Sequence, residues 1–457
     1  MDRKNTLKRA LILAVPMMIQ NGITNAVGLV DHIMVGSLGT EAMTAVSIVG
    51  QLIFVFTLAI FGGLSGPGIF TAQFYGQGST EGVRASTRMK AIICAAITAA
   101  GIAVFLIGEN ALFSLYLHGE SSEINSDLTV RYASEYLHIM LIGLPAMAVT
   151  QIYSTSLRET GDSIKPMFAG IVSVGADIIF NYLLIYGSLG FPQLGVRGAA
   201  TATVIARYLE MGVIVLWAYA KRKNHTFIQG LWSTLRIPKE IWKKILVKTI
   251  PILCNEFLWA AGLAALTQCY SSRGLSVVAG INISNVLCNL FNVVFVALGH
   301  SVGILVGQQL GAGNFEQAKK DSFLLTIFTA SLCAGLTAGL LALSGTFPQL
   351  YDTSDEVRSL ASGFITITAL FFPVQGILNT LYFTLRSGGK TLITFIFDSV
   401  FSWTVTLPAA IILCTLTGLP VLAVYAIVQS IDIIKITIGA VMIKKGIWIN
   451  NLTGGKQ

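Results

Sequence analysis

Twelve long apolar runs alternate with short polar segments along the chain, near residues 10–37, 42–75, 89–113, 131–158, 163–187, 195–220, 245–270, 277–310, 322–346, 357–386, 389–415 and 420–443. A helix needs ~20 residues to cross a hydrocarbon core about 30 Å thick, and each run is longer than that. In lipid only helices and closed barrels satisfy their own backbone hydrogen bonds. Barrel strands would alternate apolar and polar over ~10 residues, whereas these runs are continuous. The pattern predicts an all-α integral membrane protein with twelve transmembrane helices.

Composition agrees. The 457 residues are 54% apolar and only 11% charged, against about 25% charged in a soluble domain. Mean hydropathy is +0.73. A soluble enzyme, a disordered chain and a basic nucleic-acid binder are excluded. The net charge of +8 is laid out by side. The N-terminus, the even-numbered loops and the C-terminus carry 24 Lys and Arg, the other side carries 4, and Arg207 and Lys435 fall inside spans. Basic loops stay inside, so both termini are expected in the cytoplasm of a multi-pass cell-membrane protein, with the excess charge meeting lipid headgroups. Two Asn-x-Thr patterns, at Asn224 and Asn451, would then be cytoplasmic and are discounted as glycosylation sites. The first run lacks a small-residue cleavage site, so no cleavable signal peptide is expected. Six Cys (94, 254, 269, 288, 333 and 414) lie in apolar runs without CxxC spacing and read as small buried residues.

The chain is also a repeat. The longest polar loop, 221–244, separates two sets of six runs, and around Ile237–Lys244 it could form a short amphipathic helix at the cytoplasmic interface. At an offset of 235, Pro16 falls on Pro251, Gly39 on Gly274, Gly68 on Gly303, Gln73 on Gln308, and Gly76-Gln77-Gly78 on Gly311-Ala312-Gly313. At an offset of 228, Pro145 falls on Pro373, Leu157-Arg158 on Leu385-Arg386, Gly161 on Gly389 and Arg207 on Lys435. Six spans bring the chain back to its starting side, so the repeat is parallel. The expected organisation is two six-helix lobes, 1–225 and 226–457, rocking in alternating access around a central cleft.

Polar groups in spans are costly and mark either function or helix pairing. Asp31, Asp177, Asn181 and Thr203, on spans 1, 5 and 6, lie roughly 9–15 Å below the outer face by helical rise. Asp177 and Asn181 share a helix face. Two carboxylates, an amide and a hydroxyl at one depth suit a coupling cation: Na⁺ on oxygen ligands, with Asp31, Asp177 and Asn181 as the candidate set, or a proton on a carboxylate pair. In the second half Glu256 is expected as a lone carboxylate near mid-membrane, beside Asn255. Asn282, Asn285, Asn289 and Asn292 form one helical stripe, open between cleft lining and interhelical bonding. Gln20, Asn21, Asn25, Gln51, Gln375 and Asp398 extend the cleft candidates, together with Asn379. Arg207/Glu210 and Asp432/Lys435 are i,i+3 pairs read as structural ion pairs. His32 and His300 read as packing or end-of-helix polarity rather than a metal site. Gly76–Gly78 and Gly311–Gly313 read as helix C-caps. No Walker A, HExxH or CxxC pattern occurs, and no cofactor is expected beyond the coupling ion.

These residues carry a resemblance. Val30-Asp31-His32-Ile33-Met34-Val35-Gly36 resembles the VDxxMxG signature of the MATE (multidrug and toxic compound extrusion) transporters. Gln73–Gly78 and Gln308–Gly313 are similar to that family's Q-x-x-G-x-G segments. Leu157–Asp162 resembles its LRGxGD turn, and Leu385–Lys390 the matching turn after span 10. The resemblance covers essentially the whole chain. It implies a cation-coupled exporter of small amphipathic, often cationic organic compounds. It also implies that Asp31 is the span-1 acid, that Asp177 and Asn181 are the span-5 polar pair, here in the order Asp then Asn, and that Thr203 is the hydroxyl of a GAAxAT segment. Glu256 matches the span-7 acid of one branch, whose span-10 acid is Gln375 here, with Asp398 a substitute from span 11. The alternative function is a flippase or exporter of a lipid-linked or glycolipid amphiphile. A channel would not need two lobes of dissimilar charge, and an enzyme would need a nucleophile–base or metal spacing that is absent. The expected partners are the substrates and the bilayer, without nucleic acid, and the fold could work as a monomer.

Overall fold

The computed structural model describes residues 3–117, 126–223 and 225–454; Asn224 lies outside the described residues. Among the described residues twelve helices are long and apolar enough to cross a membrane. In chain order they are α1 Arg3–Gly36, α2 Thr40–Gln77, α3 Thr80–Leu117, α4 Ser126–Glu159, α5 Ile164–Tyr186, α6 Val196–Ala220, α7 Lys239–Ser271, α8 Leu275–Gly311, α9 Phe315–Ser344, α10 Asp355–Ser387, α11 Thr391–Leu416 and α12 Val421–Lys444. Among the described residues there is no β-strand.

Several helices outrun their apolar cores. The 38 residues of α2 and of α3 reach about 57 Å at 1.5 Å per residue, nearly twice the hydrocarbon thickness. The run 42–75 spans nearly all of α2, whereas the run 89–113 starts nine residues inside α3, whose polar first turns it misses. The segment around Ile237–Lys244 is not a separate interfacial helix: α7 starts at Lys239 and runs unbroken to Ser271. Pro16, Pro67, Pro145, Pro251 and Pro373 all lie inside helices, each removing one backbone donor at a point where a helix can bend.

The chain divides into two compact units. The first comprises Ile19–Thr71 and Thr80–Leu246. Its core is built by Val35, Ile48, Leu52, Phe56, Leu137, Leu144 and Ile185 among others. Gly198 sets the closeness of α5 and α6, since a Cβ there would lie 2.4 Å from the Leu184 carbonyl oxygen. Part of the 221–244 loop is anchored in this unit. Phe227, Ile228 and Leu231 are buried, and Arg88 Nε donates to the Leu231 carbonyl at 2.7 Å.

The second unit comprises Met1–Met18, Ala72–Ser79 and Val247–Gln457, so it takes in the inner ends of α1 and α2. A reciprocal crossing accounts for the latter. A Cβ on Gly76 would lie 1.9 Å from the Gln308 carbonyl oxygen, and a Cβ on Gly311 would lie 1.9 Å from that of Gln73. The two repeated Gln-x-x-Gly segments therefore press backbone to backbone. Of the glycines read as C-caps, only Gly78 and Gly313, at φ +79° and +77°, adopt the left-handed turn after a helix; Gly76 and Gly311 serve the crossing. Gln73 ties the junction to the end of the chain: its amide donates to the carbonyls of Ser387 (2.9 Å) and Asn450 (3.2 Å), and its Oε1 accepts from the Leu452 N–H (2.7 Å). Trp448 is wholly buried beside Ala10, Leu13 and Leu385.

Candidate functional site

In the first unit α1, α4, α5 and α6 bring the expected residues together. Asn181 Nδ2 donates to Asp31 Oδ1 at 2.9 Å. Asp31 and Asp177 are electrostatic neighbours, and Thr203 lies beside Asp177. Asp177 and Asn181 are buried. Asp177 Oδ1 and Asn181 Oδ1 are both buried acceptors without a hydrogen-bond partner among the described residues. Two orphaned oxygen acceptors beside two carboxyl groups fit a small hard cation or a proton, because each supplies the positive charge that such groups lack. Among the described residues no three His, Cys, Asp or Glu side chains gather at one point, so a cation here would take carboxylate, amide and hydroxyl oxygens together.

Tyr136 on α4 is a member that the sequence reading missed. It is buried, and it lies beside Thr203. Nothing in its neighbours singles it out in the sequence, because it becomes part of the site only when α4 packs on α6. Arg207 forms the expected pair with Glu210 (Nη1 to Oε2, 3.5 Å). Its charge also favours the ionised forms of Asp31 and Asp177 at longer range, without an ion pair to either.

Gln20 accepts a 2.6 Å hydrogen bond from Arg158 Nη2, while Asn21, Asn25 and Gln51 are exposed. Close by, Lys90 is fully buried. Its ammonium donates to Glu159 Oε2 at 2.5 Å and to the hydroxyls of Thr155 and Ser156. Arg88, Lys90 and Arg386 are therefore buried in protein and do not meet lipid headgroups, although the orientation count included them.

In the second unit the expected isolated carboxylate is paired. Glu256 Oε1 lies 3.9 Å from Arg386 Nη1, and Arg386 stacks over Phe383 and Tyr382. Asn255, Gln375 and Asp398 belong to one bonded network rather than to an open wall. Asn255 donates to Asp398 Oδ2 (3.1 Å) and to the Tyr382 hydroxyl (3.2 Å), and accepts from Ser399 (2.7 Å). Gln375 donates to Asp432 Oδ2 at 2.7 Å. Lys435 lies 3.7 Å from Asp432 and 3.6 Å from Asp398, so the expected i,i+3 pair is one side of a three-membered bridge. Asp398 sits in a π-helical turn, Ile396–Val400, followed by a second at Ser402–Thr406.

The asparagine stripe is real as a face. Asn282, Asn285 and Asn289 are exposed, and Asn292 donates to Asn289 at 3.3 Å within the stripe. Asn379, by contrast, points its Oδ1 at Gly299. His300 packs on Phe383 at 4.6 Å between ring centroids, and His32 is exposed. Of the cysteines, Cys94, Cys288, Cys333 and Cys414 are buried, but Cys254 is exposed and Cys269 is intermediate.

Arg386 and Tyr382 were missed as partners of Glu256, yet the repeat contains the signal. Gln20-Asn21 corresponds to Asn255-Glu256, and Arg158 to Arg386. The contact of Arg158 with Gln20 in one half thus becomes Arg386 beside Glu256 in the other.

Twelve apolar spans that enclose bonded networks of ionisable side chains define a membrane transport protein. The MatE family model matches residues 16–183 and 251–412, most of the chain and both halves of the repeat, and the chain belongs to this family; it is a transporter, not an enzyme. It is 27% identical over 422 residues to the "Probable multidrug resistance protein YoeA" of Bacillus subtilis, covering 91% of this chain and 88% of that one. It is 26% identical over 455 residues to the "Probable multidrug resistance protein NorM" of Thermotoga maritima, covering 96% and 93%. Its fold matches that of a MOP superfamily transporter from Pyrococcus furiosus with a TM-score of 0.85 at 18% identity, over 97% of this chain and 96% of that one.

Proposed function

We propose that this protein exports small amphipathic, cationic organic compounds across the cell membrane in exchange for Na⁺ or H⁺, by rocking-bundle alternating access, with both termini in the cytoplasm. Asp31, Asp177, Asn181 and Thr203 take the coupling ion. The observation that carries this reading is the pair of buried acceptors without a hydrogen-bond partner among the described residues, Asp177 Oδ1 and Asn181 Oδ1, beside the Asp31 carboxyl that accepts from the Asn181 amide. Two carboxylates this close in a weakly polarisable interior repel strongly when both are ionised. Binding a cation or a proton relieves that repulsion, and losing it restores the repulsion. The site therefore has two states whose energies depend on the ion, as an ion-driven conformational cycle requires. The exposed amides of each unit, Asn282, Asn285 and Asn289 in one and Asn21, Asn25 and Gln51 in the other, offer substrate both donors and acceptors. The relatives' names as multidrug resistance proteins support the substrate class.

The test is direct ion binding to purified protein. Radioactive Na⁺ at fixed pH, and proton release on Na⁺ addition, should register one site that is lost in Asp177→Asn. Wild-type binding of both ions by that variant, or none by wild-type protein, would remove the cluster from the coupling role.

A further inference from the structure

The first unit holds a cation without a counter-charge of its own. Arg158, near the inner end of α4, is partly buried, and its Nε is an enclosed donor without a hydrogen-bond partner among the described residues. Its Nη2 donates to Gln20 Oε1 on α1 at 2.6 Å, but Gln20 is neutral. Among the described residues Arg158 forms no ion pair. The two acids whose charge reaches it, Glu210 and Glu159, are each held by another base. Glu210 lies 3.5 Å from Arg207, and Glu159 accepts from the buried Lys90 at 2.5 Å. Three bases therefore share two acids. A guanidinium does not give up its proton inside a protein, so the surplus charge stays, and an enclosed charge without a partner is strongly destabilising.

The repeat shows which acid is missing. Arg386, at the matching position of the second half, has Glu256 at 3.9 Å. The residue that matches Glu256 in the first half is Asn21. Gln20 cannot swing away to make room for another partner on α5's side, since a Cβ on Gly170 would lie 2.7 Å from its Nε2. That packing turns the Gln20 carbonyl toward Arg158. Asn21, the next residue along α1, is exposed, so the guanidinium stands at the edge of the amide surface assigned above to substrate.

We propose that Arg158 is the anion-reading residue of that surface. It docks the carboxylate of a zwitterionic amphiphile, and the loaded first half thereby gains the pair that the second half makes from its own residues. The ligand group is a carboxylate rather than a doubly charged phosphate, because one negative charge cancels the surplus and a second would leave a new imbalance. The planar guanidinium also matches the two oxygens of a carboxylate. No covalent bond is made or broken; the carboxylate exchanges water for charge-assisted hydrogen bonds. This deepens the export reading, on which it rests, by adding an acid to the cationic substrate class and naming the side chain that selects it.

The test compares two dyes that differ in one group, rhodamine B, which carries a free carboxylate, and its methyl ester, which is a cation alone. Binding to purified full-length protein at about pH 7 is followed by fluorescence polarisation. Arg158→Gln should weaken rhodamine B more than about tenfold and leave the ester within about twofold. Arg158→Lys keeps the charge without the fork, and should weaken rhodamine B by about threefold and spare the ester; it carries the test where Arg158→Gln fails to fold. Equal changes for acid and ester in these variants would make Arg158 a packing residue and overturn the assignment. Wild-type protein that binds the ester and not rhodamine B also overturns it, while the export reading stands. Binding of neither dye removes both.

Discussion

The residues that bear most on mechanism are the ionised side chains held by partners inside the protein. Glu256 and Arg386 are both buried. Removing one member of a buried ion pair costs about 3–5 kcal/mol, because the other is left charged without its counterion. Glu256→Gln should therefore lower thermal stability in detergent by about 3 kcal/mol, at the low end given the 3.9 Å separation. Glu256→Gln/Arg386→Gln should recover most of that loss. A double variant no more stable than the single would show that the pair is not the unit of stability. Substrate affinity separates the other role: if Glu256 also reads substrate charge, Glu256→Gln weakens lipophilic cations and spares neutral amphiphiles of similar size. Asp162, in the turn between α4 and α5, offers a pH test. Burial alone would raise its carboxyl, but hydrogen bonds from His225 and Lys165 outweigh that and hold it below its ordinary 3.8. A lowered carboxylate stabilises the fold above its unfolded value and loses that contribution as pH falls through its folded value. Asp162→Asn should thus melt below wild type by a constant margin from about pH 5 to 8, and the margin should narrow only below about pH 4. A margin that narrows on raising pH instead would refute the assignment.

At the scale of elements, the reciprocal crossing at Gly76 and Gly311 makes the sharpest demand. Gly311→Ala would drive a Cβ to 1.9 Å from a backbone oxygen, and a backbone cannot swing aside as a side chain can. Overpacking of this kind costs about 1–3 kcal/mol. Gly311→Ala and Gly76→Ala should each lower the melting temperature well beyond Gly313→Ala, whose added Cβ meets open space and whose cost is the backbone strain of φ +77° alone. Equal losses in all three would mean that the segments do not cross as described. The crossing also shows what a sequence can reveal at this scale. The twelve spans are legible because lipid demands ~20 unbroken apolar residues, and the duplication because Pro, Gly, Gln and Arg recur in one register. The four-residue cluster of Asp31, Asp177, Asn181 and Thr203 is legible because polar groups in apolar runs have few other reasons to share a depth. The repeated glycines, however, look like caps from their position at helix ends, and only packing distinguishes Gly76 from Gly78. Glu256 looks isolated because its partner is 130 residues away, and Tyr136 looks like one more core aromatic. The polar first turns of α3, before its apolar run begins at 89, are invisible to hydropathy.

For the whole molecule, the proposed orientation rests on 24 basic residues against 4, although several of the 24 hold protein rather than lipid. The loop between α6 and α7 should be cytoplasmic. Leu235 on that loop is 66% exposed. A Leu235→Cys reporter in a cysteine-free background should react with an impermeant maleimide in inverted vesicles and not in intact cells. Labelling of intact cells would reverse the orientation. The central claim, that the oxygen cluster of the first unit couples an ion gradient to export, is tested most directly in proteoliposomes. Uphill transport of a lipophilic cation under an imposed Na⁺ or H⁺ gradient should be abolished by Asp31→Asn, while binding of the same cation to the purified variant stays within about threefold of wild type, under 1 kcal/mol. Undiminished uphill transport by the Asp31→Asn protein would contradict the account.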